Sequence, residues 1–352
     1  MTFSLFDHPH FKTLLGRDDL SMLFTAEAEI DAMLRFEATL ALAEADAGVI
    51  PEAAATAIAD AIGAFRPDTR MLQAGVVRDG LVVPTLIAAL RETLAEPHRP
   101  HVHFGATSQD VIDTGLVLRL KAASALLRDD ICSVIARLDQ LTQEYGSQPL
   151  MGRTRMQRAL EVRVADRIGI WGRPLLHHLD ALDQLEERLF VVQFGGPVGT
   201  LETFGKKGPE VRAHLAKRLA LGNPGCCWHT DRGRIADFAG WLSKVSGSLG
   251  KIGQDVTLMA QNEIGDATIG DGGHSSAMPH KRNPVRAELL VTLARYNAGE
   301  LGAVQQALVH ECERSGSAWA LEWLALPMMV ATTGAALANA IAMLGDLEIG
   351  PQ

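Results

Sequence analysis

Apolar residues recur three and four positions apart through most of the chain, and strict two-residue alternation is rare. From 108 to 145 no proline interrupts the pattern, and Val111, Ile112, Gly115, Leu118, Leu126, Val134, Ile135, Leu138 and Leu141 form a slowly drifting stripe. At about 1.5 Å per residue this segment predicts a rod of roughly 57 Å. Comparable patterns predict long helices over 157 to 190, 231 to 262, 284 to 309 and 318 to 344. An earlier amphipathic segment, 25 to 47, carries Ile30, Met33, Leu34 and Leu40 and stops at Gly48 and Pro51. From 52 to 98 the pattern predicts shorter helices, broken at Pro67, Gly75, Gly80 and Pro97.

The class these elements predict is all-α: a central long-helix bundle over 101–352 and a smaller N-terminal helical domain over 1–100. Rods this long, apolar over wide arcs, need partner chains to cover them, so a homo-oligomer is expected.

Composition narrows the function. With 352 residues, 47% of them hydrophobic, the chain buries a sizeable core. Its 33 Lys and Arg against 42 Asp and Glu leave a net charge of −9, which argues against a broad nucleic-acid-binding surface. Runs such as "VVPTLIAAL" and "LALPMMVA" fall short of the roughly 20 residues that span a bilayer, so no membrane partner is expected. The start, "MTFSLFDHPHFK", has no basic region leading into an apolar stretch, and the cytoplasm is the expected location. Cys132, Cys226, Cys227 and Cys312 form no CxxC pair and read as reduced thiols.

The chemistry concentrates in "GDGGHSSAMPHKRNPVRAELL", residues 270 to 290. Three glycines give a permissive backbone, and Asn283-Pro284 reads as N-cap and first residue of the next helix. The loop delivers Ser275, Ser276, Lys281 and Asn283 to a helix N-terminus, which favours an anion such as a carboxylate. A serine hydroxyl becomes a base only when something stabilises its oxyanion, as a nearby ammonium and backbone amides do. The plainer reading is a Gly/Ser-rich turn before a capped helix.

A second cluster is "HVHFGATSQDVIDTG", residues 101 to 115. Thr107 and Asp110 have the spacing of an N-cap and its N3 partner, so capping explains that pair at least as well as ligand binding. Ser108 and Gln109 add donors that are expected to grip a carboxylate. His101 and His103 lack a third ligand at a familiar spacing, so no metal is expected. A third cluster, "GRTRMQRALEVRV", places Arg153, Arg155, Arg158 and Arg163 in an acidic protein, with Arg153 and Arg155 as preferred carboxylate ligands. The Gly-rich "QFGGPVGTLETFGKKG" fails as a phosphate loop, because Lys207 stands where a Ser or Thr is needed, and no nucleotide cofactor is indicated.

"SSAMPHKRNP" resembles the signature S-S-x-M-P-x-K-x-N-P of the fumarase/aspartase superfamily at every fixed position. "GATSQDVIDT" and "GRTRMQ" resemble its first and second segments, and "QFGGPVGT" sits where members carry a Gly-rich loop. "HECERSGSAWALEWLALP" resembles H-E-R-x-x-G-x-W-x-x-E-W-L-x-L-P of the lactone-forming branch, rather than the E-R-D-x-S-H-S-S type of adenylosuccinate lyases. Most of the superfamily has a histidine after "GRT", where this chain has Arg155. Members also carry a further C-terminal helical domain, which this chain, ending at Gln352, is expected to lack.

The resemblance implies a cofactor-free cycloisomerase of a carboxylated muconate; a substituted-muconate cycloisomerase, a C–N lyase and a non-enzymatic structural relative are the alternatives. It implies Ser275 as base, with Lys281 and Asn283 holding the carboxylate and the dianion. It implies Thr107, Ser108, Gln109, Arg153, Thr154, Arg155, Gln157, Ser276 and Met278 as substrate-binding, with Arg286 and Arg314 as further candidates. Trp319 is expected to pack between helices, and a homotetramer to share each site among three subunits.

Overall fold

The computed structural model describes residues 4–270, 272–278 and 281–350. Two short turns, α1 (Lys12–Leu15) and α2 (Asp18–Met22), precede four helices: α3 (Ala26–Asp46), α4 (Glu52–Ala64), α5 (Thr69–Asp79) and α6 (Val83–Glu92). The central rod is α7 (Ser108–Tyr145). A hairpin of β1 (Pro149–Thr154) and β2 (Gln157–Arg163) leads into α8 (Val164–Leu189), then α9 (Gly208–Leu219) and α10 (Gly233–Met259). After β3 (Ala267–Ile269), β4 (Gly273–His274) and β5 (Arg282–Asn283) come α11 (Val285–Gln306), α12 (Gly316–Gly345) and β6 (Leu347–Ile349). The architecture is the all-α bundle that the periodicity predicts, with α7 at the expected bounds.

Val117, Leu120, Ala123, Leu127, Ile131, Val134, Leu138 and Leu141 of α7 are buried at three- and four-residue spacing, the seam of a helix packed lengthwise on its neighbours. Side-chain bonds fix the directions. Trp319 of α12 meets Asp113 near the start of α7, and Arg137 meets Leu344 near the finish of both, so α7 and α12 run parallel. Trp171 reaches Asp255 and Trp241 reaches the His178 carbonyl, so α8 runs against α10. The starts of α7, α10 and α12 therefore share one end of the bundle, here the near end, and the starts of α8 and α11 share the far end. One continuous hydrophobic core runs from Leu15 to Ile349.

Three expectations change. The helix predicted from 157 starts at Val164, because 149–163 folds as an antiparallel hairpin in which Leu160 and Val162 alternate with Glu161 and Arg163. Gly75 does not break a helix. It lies inside α5, where a Cβ would stand 2.0 Å from Thr85 Oγ1, so the missing side chain lets α6 close in. And α12 is long and apolar enough to cross a membrane, a longer uncharged stretch than the short runs singled out from the sequence; most of its apolar window is buried in the bundle.

Helix α3 carries two fully buried acids seven residues apart, Glu37 and Glu44. Glu37 meets His103 Nδ1 at 2.6 Å, while neither Glu44 carboxyl oxygen has a hydrogen-bond partner among the described residues. Burial, with Glu37 adding to it, pushes Glu44 from 4.5 up to about 9. The folded protein keeps this proton at pH values where the unfolded chain has released it. Stability from this group is thus lost as pH rises from 4.5 towards 9, by on the order of 1.4 kcal/mol per unit. Glu44→Met is expected to raise the urea midpoint at pH 8 and to change it little at pH 4.5; a lower midpoint at pH 8 would mean that Glu44 has a partner worth more than its desolvation.

Candidate active site

At the near end, Thr107 is extended at the N-cap of α7, and its N–H donates to Asp110 Oδ2 at 3.0 Å. Capping therefore accounts for Asp110 at this turn, and the same carboxylate does more. It accepts from the N–H groups of Gly195 and Gly196, each at 2.9 Å, and meets His229 Nε2 at 2.8 Å. Burial opposes charge on His229, but Asp110 and the Cys227 thiol outweigh it and raise the imidazole to about 9, so the ring is protonated at neutral pH. One buried acid thus ties the glycine-rich segment to the start of the central rod.

Gln109 is the first correction among the site residues. Its side chain is fully buried: Nε2 donates to the His229 carbonyl at 2.9 Å and to Asp113 at 3.2 Å, and Oε1 accepts from Arg314 Nε at 3.0 Å. Its amide is spent inside the protein, and its effect on a ligand runs through Arg314. Arg314, which also donates to the Pro197 carbonyl at 3.1 Å, stays exposed. Thr107 and Ser108 are half-buried beside the free amides of the α7 N-terminus, a place suited to an anion.

Beneath this surface lies a network that sequence reading missed. Arg232, 1% exposed, forks to Asp113 (2.6 and 3.1 Å) and to Glu322 (2.8 and 2.5 Å). The Trp228 ring lies 5.0 Å from its guanidinium, and the Trp319 indole donates to Asp113 at 3.0 Å, so Trp319 packs between helices as expected. The only local signal was acidic Asp113 and Glu322 on otherwise apolar faces of their helices.

At the far end, the β1–β2 hairpin turns through Arg155 and Met156, with φ of 47° and 67°. Such two-residue turns favour Asn and Gly, and each non-glycine residue held there stores about 1 kcal/mol or more. Thr154, Arg155, Met156 and Gln157 are exposed on this projecting tip. A groove of about 1000 Å³ runs below it, lined by Arg153, Gln157, Leu258 and Ile264 among others. Arg153 is not the free cation expected, because its Nη1 is bound to Asp266 at 2.6 Å and anchors the hairpin to the segment between α10 and β3. Arg286 is likewise engaged, donating to Asn339 of α12 at 2.9 Å.

The serine loop shares this end. Gly273 pairs with Asn283 and His274 with Arg282, so β4 and β5 pinch its base. Asn283 is thus a strand residue rather than the expected N-cap; Pro284 takes the cap position and α11 begins at Val285. Ser275 follows β4 directly, half-buried, and its Oγ accepts from the N–H groups of Met278 at 3.1 Å and Ala277 at 3.4 Å. Two amides aimed at one oxygen favour its negative form. Ser276, Met278 and Lys281 are exposed, Asn283 is half-buried, and the signature's Pro279 and His280 lie outside the described residues.

The single chain therefore brings Thr107, Ser108 and Arg314 together at one end, and gathers Thr154, Arg155, Gln157, Ser275, Lys281 and Asn283 at the other. The 38 residues of α7 separate the two groups by about 57 Å.

Long antiparallel rods with an amide-held serine loop at one end and a capped, cation-flanked turn at the other define an all-helical lyase of the fumarase/aspartase type. The chain belongs to the lyase family, whose model matches residues 15–298. It is 40% identical to 3-carboxy-cis,cis-muconate cycloisomerase of Pseudomonas aeruginosa over 94% of this chain and 73% of that protein. The crystal structure of 3-carboxy-cis,cis-muconate lactonizing enzyme from Pseudomonas putida superposes with a TM-score of 0.90 at 36% identity, covering 97% of this chain and 77% of that one. N-acetyl-S-(2-succino)cysteine lyase of Enterococcus italicus is 34% identical over 94% of this chain and 73% of its own length.

Proposed function

We propose that this chain is a cycloisomerase that closes 3-carboxy-cis,cis-muconate to 4-carboxymuconolactone. The observation that carries the chemistry is Ser275 Oγ, held by two backbone amides in a loop that also presents Lys281 and Asn283. In ring opening, the Ser275 alkoxide removes the proton next to a carboxylate, and the resulting dianion is held by Lys281 and Asn283. In ring closure the same oxygen returns that proton while a substrate carboxylate adds to the neighbouring carbon of the diene. Atoms balance without a redox partner, and no metal or nucleotide enters the scheme.

Three carboxylates on the substrate call for more positive groups than the serine loop supplies. Arg155 on the hairpin tip, Arg314 and the amides at the start of α7 would provide them, with Thr154, Gln157, Thr107, Ser108, Ser276 and Met278 shaping the pocket. A separation of about 57 Å within one chain supports a site to which different subunits supply the two ends. The reading therefore includes a homotetramer with shared sites. Ser275→Ala and Arg314→Met chains, each nearly inactive alone, are expected to regain activity when unfolded together and refolded as mixed oligomers. Mixing that restores nothing would place the whole site in one chain.

The direct test is to incubate the protein with 3-carboxy-cis,cis-muconate, without added metal or nucleotide, and follow the loss of diene absorbance. Rapid loss with lactone formed supports the reading. No loss, together with release of fumarate from a succinyl thioether, would favour the second reading, a C–S lyase, which the likeness to the succinocysteine lyase keeps in view.

A further inference from the structure

Helices α8 and α10 run against each other, and between their facing stripes lies a hollow of about 330 Å³ that the proposed lactonisation does not use. From α8 it takes Ile170, Trp171, Pro174 and His178, which share one face of that helix. From α10 it takes Lys244, Gly247, Ser248 and Lys251, again three and four apart along one face. The volume is that of a small organic ligand. Gly247 keeps it open, since a Cβ there would meet nothing within 4 Å.

The two ends of the hollow differ. At one end the Trp171 indole donates to Asp255 at 2.8 Å, and Lys251 pairs with the same carboxylate, so its charge is already matched. Ile170, Trp171 and Pro174 make this end an apolar wall. At the other end His178 Nε2 lies 2.8 Å from Ser248 Oγ, and Lys244 is exposed and has no ion pair among the described residues. Burial and the Lys244 ammonium hold the His178 imidazole below its ordinary pKa, so the ring is neutral at neutral pH. The titratable groups facing that ring are Lys244 of α10 and His177 of α8 itself. No acidic side chain is among the residues that line the hollow. It therefore joins an apolar wall to one unmatched cation and a hydroxyl beside an imidazole.

We propose that this hollow binds a small monocarboxylate with a flat apolar body, of the benzoate type, its ring against Trp171 and Pro174 and its carboxylate on Lys244 and the Ser248 hydroxyl. An anion at that end favours the imidazolium form of His178, so ligand and proton strengthen each other's binding. Ile170 and Lys251 also border the groove beneath the β1–β2 hairpin, so the seat adjoins the far-end groove while using none of the residues assigned to lactonisation.

The test titrates sodium benzoate into the native protein by calorimetry, with benzyl alcohol as the uncharged control. Benzoate is expected to bind at least about fivefold more tightly than the alcohol at pH 7. Lys244→Met should weaken benzoate about three- to fivefold, the worth of an exposed ion pair. Gly247→Leu puts a good helix former into the open space and should abolish binding without lowering the thermal midpoint. Affinity should rise as pH falls from 8 to 6, where benzoate stays charged while His178 takes up its proton, and His178→Gln should flatten that dependence. If Gly247→Leu does lower the midpoint, Lys244→Met and the pH series decide. Absence of binding heat, equal affinity for benzyl alcohol, or benzoate binding that survives both Gly247→Leu and Lys244→Met would overturn the proposal, the last by placing the anion on another cationic site. No readout uses turnover, so its failure is separate from failure of the cycloisomerase reading.

Discussion

Replacing Ser275 by alanine is expected to lower kcat for lactone formation by about 10³-fold, within the range that a positioned acid–base group contributes. The reason lies in one atom. Ser275 Oγ is where two backbone amides converge, and alanine leaves them pointing at nothing that exchanges a proton. Lys281 and Asn283 remain to hold carboxylates, so KM should move little. The loop lies outside the bundle core, so the thermal midpoint should also stay where it was. Steady-state rates on 3-carboxy-cis,cis-muconate, beside a melting curve, check both halves. A variant keeping more than a tenth of the wild-type rate would hand the proton to another group.

The second large effect is on stability. Arg232→Met is expected to destabilise the fold by about 3–5 kcal/mol, because it leaves two carboxylates facing each other in a dry interior. Asp113 and Glu322 are both essentially buried, and Arg232 forks to each. Adding Asp113→Asn and Glu322→Gln to that variant should recover much of the loss, since no unpaired charge then remains. Urea unfolding of the single and triple variants measures the difference. If Arg232→Met alone unfolds with the wild-type midpoint, the guanidinium is not what neutralises these acids.

The long helices were legible because their signal is local. The bounds of α7 follow from an uninterrupted stripe, a capping pair at Thr107 and Asp110, and Gly146 at the finish. The hairpin was not, since Arg155-Met156 carries none of the Asn or Gly that announces a two-residue turn, although the alternation of Leu160 and Val162 with Glu161 and Arg163 was there to be read. The signature loop could be located from its residues, but not the fact that Asn283 pairs in a strand instead of capping α11. Gln109 shows the deeper limit: Arg314, which occupies its amide oxygen, lies 205 positions along the chain. Arg232 likewise meets Asp113 and Glu322 at separations of 119 and 90. No local pattern reports a partner at such a distance, so donors that looked free for a ligand were already taken.

Helix α12 draws the bundle into the question of how the chain is made. Judged by length and composition, a nascent segment like Gly316–Gly345 is hard to tell from one bound for a lipid bilayer. Its order in the sequence answers that hazard. The helices that bury it, α7, α10 and α11, all precede it, so synthesis at about 5–20 residues per second brings them out of the ribosome first. The most apolar rod is then the last of the five to emerge, into a cleft already built to receive it.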